Sequence, residues 1–515
     1  MENSLMLLAL VTIAALAFIS RIIEINQRPR RRRRPEKKLP PGPKPWPIIG
    51  NLNLLGSTPH QSLHSLSKKY GEIMLLKLGK FPVVIASSPE MAKQFLKVHD
   101  KNFATRPALA AGKHIAYNYS DMTWAPYGPY WRQARKIYFS EVFSAKRLEF
   151  FEPVRVEERK SFLSRLCSLS GKPVFLRPHL SRYALSSMSR MVLSNKYFSK
   201  AELENGPVFE LEELQCMVDE WFLLSGVINV GDWIPWLDFL DLQGYVKRMK
   251  ILHKKFDRFN DYVIDDHRER MSEKDFKPKD VADMLLLLSE DPNLEVKLTR
   301  DSIKALLQGL IIGGTDALAT TVEWIIHEVV RHPHIIKKAK EELDRVIGRK
   351  RWVEENDLPH LPYMDAVVME TFRLHPLCTL LTPHCAMEDC NVAGYDIPKG
   401  TMVRINTWSI GRDPELWESP EEFVPERFIG KEIDILGSNF AMLPFGSGRR
   451  RCPGYNLGLK LVRTTLANLL HGFDLRLVEG MKVEDVCIEE EYGLTTHPKH
   501  PLSIIMEPTL PPNLY

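Results

Sequence analysis

The sequence predicts a large, mainly α-helical body with small β-sheets on one side. Three observations point there. Most of the 515 residues carry helical periodicity, one apolar helical stretch runs unbroken from Arg300 to Arg331, and strand-like patterns are confined to a few short segments. Hydrophobic residues make up 44% and charged residues 26%, enough for an extensive buried core. That composition excludes a disordered chain, and 28 Gly with 36 Pro exclude a collagen-like one. Seven cysteines with no CxxC pair argue against a disulfide-stapled or zinc-ribbon scaffold and for a reducing compartment. The net charge of +5 is concentrated. Residues 28–38 alone hold six Arg, two Lys and one Glu, so the remainder is slightly acidic and no nucleic-acid partner is expected.

The chain opens with LMLLALVTIAALAFI, Leu5 to Ile19, followed by Ser20, Arg21, Ile22 and Ile23. No basic residue precedes this run and the arginines Arg28 to Arg34 follow it, the reverse of a cleaved signal peptide. With positive charge held on the cytoplasmic side, residues 1–27 read as a single-pass membrane anchor with a cytosolic body. The span is short and best suits the thin endoplasmic reticulum membrane. Residues 28–50 read as a basic, proline-rich hinge. Leu39 to Gly50 holds five prolines in twelve residues and can be neither helix nor sheet interior. Residues 51–515 are expected to form the folded body.

Within the body, residues 71–87 suggest two strands around Gly79-Lys80, and a second pair is expected from Gly394-Tyr395-Asp396 to Asn406. Weaker strand signals follow Val483. The Arg300–Arg331 helix has Thr299 as N-cap and Pro333 as stop, and is about 48 Å long. Its glycines Gly309, Gly313 and Gly314 each cost about 1 kcal/mol against alanine. Either something flat approaches the backbone there, or another helix crosses.

The sharpest local signal is Phe445-Gly-Ser-Gly-Arg-Arg-Arg-Cys-Pro-Gly454. Two glycines permit a tight loop, and Cys452 stands just before an apolar helical run from Leu457 to Leu470. A cysteine at a helix N-terminus among arginines is expected to be a thiolate, the form a metal binds. Arg450 can pair with an anionic group beside that metal. Three distant segments accompany it. Glu370-Thr-Phe-Arg373 sets an acid and a base at i and i+3, Pro425-Glu-Arg427-Phe428 adds an arginine, and Trp131-Arg-Gln-Ala-Arg135 offers an indole and a guanidinium one turn apart for carboxylates.

In this order and spacing, and over the whole length of the chain, the motifs resemble those of the cytochrome P-450 haem-thiolate monooxygenases, specifically plant microsomal enzymes of the flavonoid 3'-hydroxylase-like group. The resemblance implies the P-450 fold, with haem b between a long central helix and the cysteine loop. It implies that Cys452 is the axial ligand of the haem iron and that Trp131, Arg135, His384 and Arg450 hold the propionates. Glu370, Arg373 and Arg427 would form a structural network behind the cysteine loop. An NADPH-cytochrome reductase would be the electron-donating partner, docking on the side of Arg449 and Arg451, with O2 and a small hydrophobic substrate as the other reactants.

The family motif in the long helix reads Ala/Gly-Gly-x-Asp/Glu-Thr. Here it is Gly313-Gly314-Thr315-Asp316-Ala317. The candidate catalytic positions are therefore Asp316, which matches the acid, Ala317, which stands where the hydroxyl belongs, and Thr315. Thr315 lies about 200° around the helix from Ala317 and cannot simply substitute for it. By family position, substrate contacts are expected from Ala108 to Trp124, near Leu310 and Ala317, and from Cys378 to Thr382 and Gly493 to Thr496. These residues favour a neutral, apolar plant metabolite, phenolic or terpenoid. Three functions follow: oxygen insertion; oxidative coupling, ring closure or desaturation without it; and a non-catalytic haem- or ligand-binding membrane protein. The intact cysteine loop and Asp316 argue against the last.

Overall fold

The computed structural model describes residues 37–194, 197, 210–431, 433, 435, 437 and 439–515, with Thr12 and Ser20. The anchor and the arginine run therefore lie outside the described residues.

The apolar stretch from Arg300 to Arg331 is one 32-residue helix. Thr299 caps it as expected, its hydroxyl accepting from the Ser302 amide at 3.1 Å. Buried apolar side chains surround it on nearly every face. Helices Leu176–Leu193, Leu211–Gly226, Tyr245–Met271, Pro362–Leu374 and Tyr455–Gly472 pack along its length. It is long and apolar enough to cross a membrane, but 78% of its most apolar window is buried inside the protein, so it is the core helix.

The glycines of this helix divide between the two readings. A Cβ on Gly314 would lie 2.4 Å from the Met188 sulfur of the Leu176–Leu193 helix, so Gly314 marks a helix crossing. A Cβ on Gly313 would meet nothing within 4 Å, and Gly313 and Gly309 line a cavity instead.

Strands Ile73–Leu78 and Phe81–Ala86 form the expected hairpin. The second expected pair is different. Tyr395–Ile397 pairs backward with Cys390–Val392, whereas Met402–Ile405 runs parallel beside Phe81–Ala86, with Val84 opposite Val403. Met402–Ile405 is a strand as expected, but its partner lies some 320 residues upstream, where no turn signal can point. His384–Cys385 completes this four-stranded sheet. After Val483 the strands Glu490–Glu491, His497–Pro498 and Ser503–Pro508 appear, the last pairing with Pro173–Phe175 and Phe473–Leu477.

The described part of the proline-rich segment is extended up to Pro45, turns back between Trp46 and Gly50, and is held on the body. The Leu75 amide donates to the Pro41 carbonyl at 2.8 Å, the Asp396 amide to Lys38 at 2.7 Å and the Asn51 amide to Lys77 at 2.6 Å.

Candidate active site

The Phe445–Gly454 loop folds back on itself, the Cys452 amide donating to the Phe445 carbonyl at 2.9 Å. Gly446 and Gly448 have φ of 65° and 68°, and a Cβ at Gly448 would lie 2.2 Å from the Leu96 carbonyl oxygen. Only glycine satisfies both demands at that position. The turn sends three successive arginines three ways. Arg449 is exposed, its amide and guanidinium both on Asp100. Arg451 lies over the Tyr455 ring, and Arg450 points inward.

The loop closes one side of a cavity of about 270 Å³. Cys452, Arg450, Phe445 and Ser447 come from the loop, and Gly309, Gly313 and Ala317 from the central helix. Trp131 and Arg135 come from the Pro129–Ile137 helix, and His384 from the short strand beside Met402–Ile405. All five residues expected to bind a cofactor therefore meet in one place, opposite the bare glycine backbone.

Arg450 donates to the carbonyls of Ala104 and Ala125, each at 2.5 Å, and Arg135 to that of Arg451 at 2.9 Å. The Trp131 indole donates to Met122 at 3.1 Å. Arg106 is a third buried guanidinium on the wall, bonded to the carbonyls of Thr123, Thr382 and Pro383. Among the described residues no carboxylate lines this cavity. Burial, then repulsion by Arg106, pushes Arg450 down to about 8. Burial brings Arg106 to about 9, and burial with Arg451 nearby brings Arg135 to about 10. Such a cluster of buried cations, opposed only by Asp121 and Asp100 behind the wall, is costly until an anion fills it. Sequence pattern did not single out Arg106, which stands alone without a motif.

His384 donates from Nδ1 to the Phe103 carbonyl at 2.9 Å, since a carbonyl only accepts. Burial, with Arg106 next, lowers its pKa to about 3, so the ring is neutral and Nε2 is an acceptor. It becomes a donor to a carboxylate only as the imidazolium, which a nearby anionic group favours.

The expected thiolate needs correction. Burial raises the Cys452 pKa, and the Gly454 amide, Arg135 and Arg451 only oppose that effect. The arginines alone do not hold the thiolate, and a metal must complete its stabilisation. A soft sulfur ligand, a ring of cationic donors and a side-chain-free helix surface opposite fit a flat, anionic, iron-bearing macrocycle.

Of the catalytic candidates only Ala317 lines the cavity. The Thr315 hydroxyl is turned away and donates to the Ile311 carbonyl at 2.6 Å. Asp316 is buried behind the wall, its Oδ1 accepting from Arg177 at 2.9 Å and its Oδ2 from the Thr495 hydroxyl at 2.7 Å. Among the expected substrate contacts Met122, Thr123, Cys378, Leu381, Thr382, Leu494 and Thr495 line the cavity, but Leu310 is packed into the core. Trp221 and Phe222, from the Leu211–Gly226 helix, also line it and were not foreseen, because an aromatic pair on a helix looks like ordinary core.

Behind the loop, the Glu370 carboxylate and Arg373 guanidinium form two parallel bonds of 2.7 Å. Arg427 reaches Glu370 at 3.0 Å, and Arg373 also donates to the carbonyls of Gly411, Pro420 and Glu422. The expected network is present, and neither Glu370 nor Arg373 touches the cavity.

The cytochrome P450 family model matches residues 40–504. The chain is 44% identical to the flavonoid 3'-monooxygenase of Arabidopsis thaliana, over 94% of each sequence. It is 43% identical to the trimethyltridecatetraene synthase of Zea mays, covering 98% of this chain and 95% of that one. Among solved structures, a zebrafish cytochrome P450 determined with abiraterone superposes with a TM-score of 0.74 at 25% identity, over 88% of this chain and all of that one. The chain belongs to the cytochrome P450 family. It is a haem-iron monooxygenase, of a family that uses O2 and a redox partner to oxidise small substrates.

Proposed function

We propose that this enzyme inserts oxygen into a small, neutral, hydroxyl-bearing plant metabolite of phenolic or terpenoid type. The observation that carries the reading is the cavity wall: it is mostly apolar or small, no carboxylate lines it, and its three guanidinium groups are each already bonded to main-chain carbonyls. That wall selects against a cationic substrate, because no carboxylate compensates a buried positive charge, and it offers an anion no guanidinium free of main-chain partners. In this reading Cys452 would ligate the haem iron, and Trp131, Arg135, His384 and Arg450 would hold the propionates. When bound, the haem supplies oxygen activation, to which the thiolate contributes electron density. Phe222, Trp221 and Leu494 exclude water from the substrate side, and Gly313 leaves room for the substrate to approach.

The enzyme is assigned to the endoplasmic reticulum membrane by its residues 1–27, with residues 51–515 as the cytosolic catalytic domain. An NADPH-dependent reductase is the proposed electron donor, and the exposed Arg449 on the outer side of the cysteine loop supports docking there.

The second reading, oxidation without oxygen retained in the product, is favoured by Ala317 and by the names of two relatives, the Zea mays trimethyltridecatetraene and dimethylnonatriene synthases, which denote hydrocarbon products. Reconstitution with a reductase, NADPH and isotopically labelled O2 over a panel of phenolics and terpenoids separates the two. Label in the product is expected, and a product free of label overturns the first reading.

A hydroxyl at position 317 is expected to help turnover without being required for it. Ala317→Thr should raise product per NADPH and lower peroxide release by a few-fold. The gain stays below the ~10²-fold worth of a positioned proton donor, because an enzyme that works with alanine already has a donor elsewhere. A fall in turnover without reduced peroxide would mean that the substrate packs on the Ala317 methyl.

A further inference from the structure

The geometry points to Thr495 as the hydroxyl that passes protons from Asp316 into the cavity, doing from a distant loop what a threonine at position 317 would do from the helix. The inference rests on the reading of the cavity given above.

Asp316 is buried and does not line the cavity, so any proton it supplies needs an intermediary. The neighbouring helix hydroxyls are engaged elsewhere. Thr315 donates to the Ile311 carbonyl and Thr321 to the Ala317 carbonyl, at 2.6 and 2.7 Å. Thr320 lies 3.4 Å from Asp316 but is fully buried away from the cavity. Thr123, Thr382 and Ser447 line the cavity, and none of them bonds Asp316. Thr495 alone among the described residues does both, lining the cavity and donating to Asp316 Oδ2 at 2.7 Å.

The loop is built to hold that hydroxyl in place. The Leu494 amide donates to the Phe222 carbonyl at 3.4 Å, and the Thr496 amide to Leu377 at 2.8 Å. The Trp324 indole of the central helix donates to the Thr496 carbonyl at 3.0 Å. A Cβ at Gly226 would lie 2.1 Å from the Leu494 nitrogen, so bare backbone is what lets this loop come so close. On its other side Asp316 meets Arg177, which also pairs with Glu323 at 2.9 Å and lies 3.8 Å from Asp219, a largely exposed carboxylate. Arg177 is itself partly exposed, so the network opens to solvent at that guanidinium.

The transfer balances without any change in Thr495. Asp316 takes a proton from water admitted beside the partly exposed Arg177, since the guanidinium relays none itself, and becomes the neutral acid. It then donates that proton to Thr495 Oγ1 while Thr495 releases its own to an acceptor in the cavity. Asp316 returns to the carboxylate, and one proton has crossed the wall.

The test uses the full-length holoenzyme with reductase. Thr495→Val keeps the shape and removes the hydroxyl. Its product formation should fall on the order of 10²-fold, with the NADPH consumed appearing as peroxide, and the solvent isotope effect on turnover should change. Thr495→Ser should stay within a few-fold of the parent. The Ala317→Thr/Thr495→Val double variant should regain coupling, because the hydroxyl is restored from the helix. Independently of turnover, the Asp316 carboxylate band in the resting protein, identified by its loss in Asp316→Asn, should shift in the valine variant and not in the serine one. If valine crowds the site and haem loading drops, Thr495→Ala carries the same expectations. Unchanged coupling or an unshifted band on loss of the hydroxyl would overturn the proposal, as would equal losses in the serine and valine variants. A parent enzyme whose product carries no labelled oxygen would instead refute the oxygen-insertion reading, and the carboxylate band would still decide on Thr495.

Discussion

Cys452→Ser is expected to abolish the red-shifted Soret band of the reduced carbon monoxide complex, and with it all measurable turnover. Two thiols line the cavity, Cys452 from the arginine-bearing loop and Cys378 from the wall, and Cys452 is the one assigned to the iron. Serine keeps the loop, since the bond from the position 452 amide to the Phe445 carbonyl does not involve the side chain. The variant should therefore fold and retain some haem through its cationic contacts, yet lack the thiolate that defines the spectrum. Because burial raises the Cys452 pKa, the iron itself must draw the proton off, and haem loading should release protons. An unaltered band in the serine variant would show that another residue ligates the iron.

The second large effect is structural. Glu370→Gln should cost about 3–5 kcal/mol, the range for breaking one partner of a buried ion pair. Glu370 Oε1 accepts from Arg373, from Arg427 and from the Val424 amide, and Oε2 accepts from Arg373. All four partners are donors, so an amide NH2 in either orientation faces one directly. Arg373 is itself fully buried and would be left undercompensated. Most of the variant should fail to load haem, measured as the yield of carbon monoxide complex per milligram and as the melting temperature. A melting temperature within about 2 °C of the parent would contradict the role assigned to this network. By contrast with Cys452→Ser, the fraction that does fold should show a normal spectrum.

What sequence revealed and what it hid divide by distance along the chain. The central helix carries its own cap, its own stop and an apolar composition, all local, and its bounds match the expected ones. The cysteine loop was equally legible because its glycines, arginines and cysteine are consecutive. Helical periodicity also showed that Thr315 points away from Ala317, as it does. Yet Gly313 and Gly314 are adjacent identical residues, and nothing in the sequence says that one borders a cavity and the other a methionine of another helix. Arg106, Arg177 and Thr495 act through partners more than a hundred residues away, and each sits in a segment without a pattern of its own. The expected pairing of residues 394–406 failed for the same reason: a parallel partner leaves no hairpin turn to read.

The pairing of Phe81–Ala86 with Met402–Ile405 has a consequence for which compartment serves the enzyme. A span count based on hydropathy would find the central helix and send the chain across the bilayer at residues 300–331. The segments before and after that helix would then face opposite aqueous spaces. Neighbouring strands cannot do so: Ile85 and Arg404 sit side by side in one sheet. The segments on both sides of the helix thus share a single aqueous phase, and with them the substrate wall and the cysteine loop. An electron donor, a substrate and the proton proposed to enter beside Arg177 must therefore all reach the protein from that one phase.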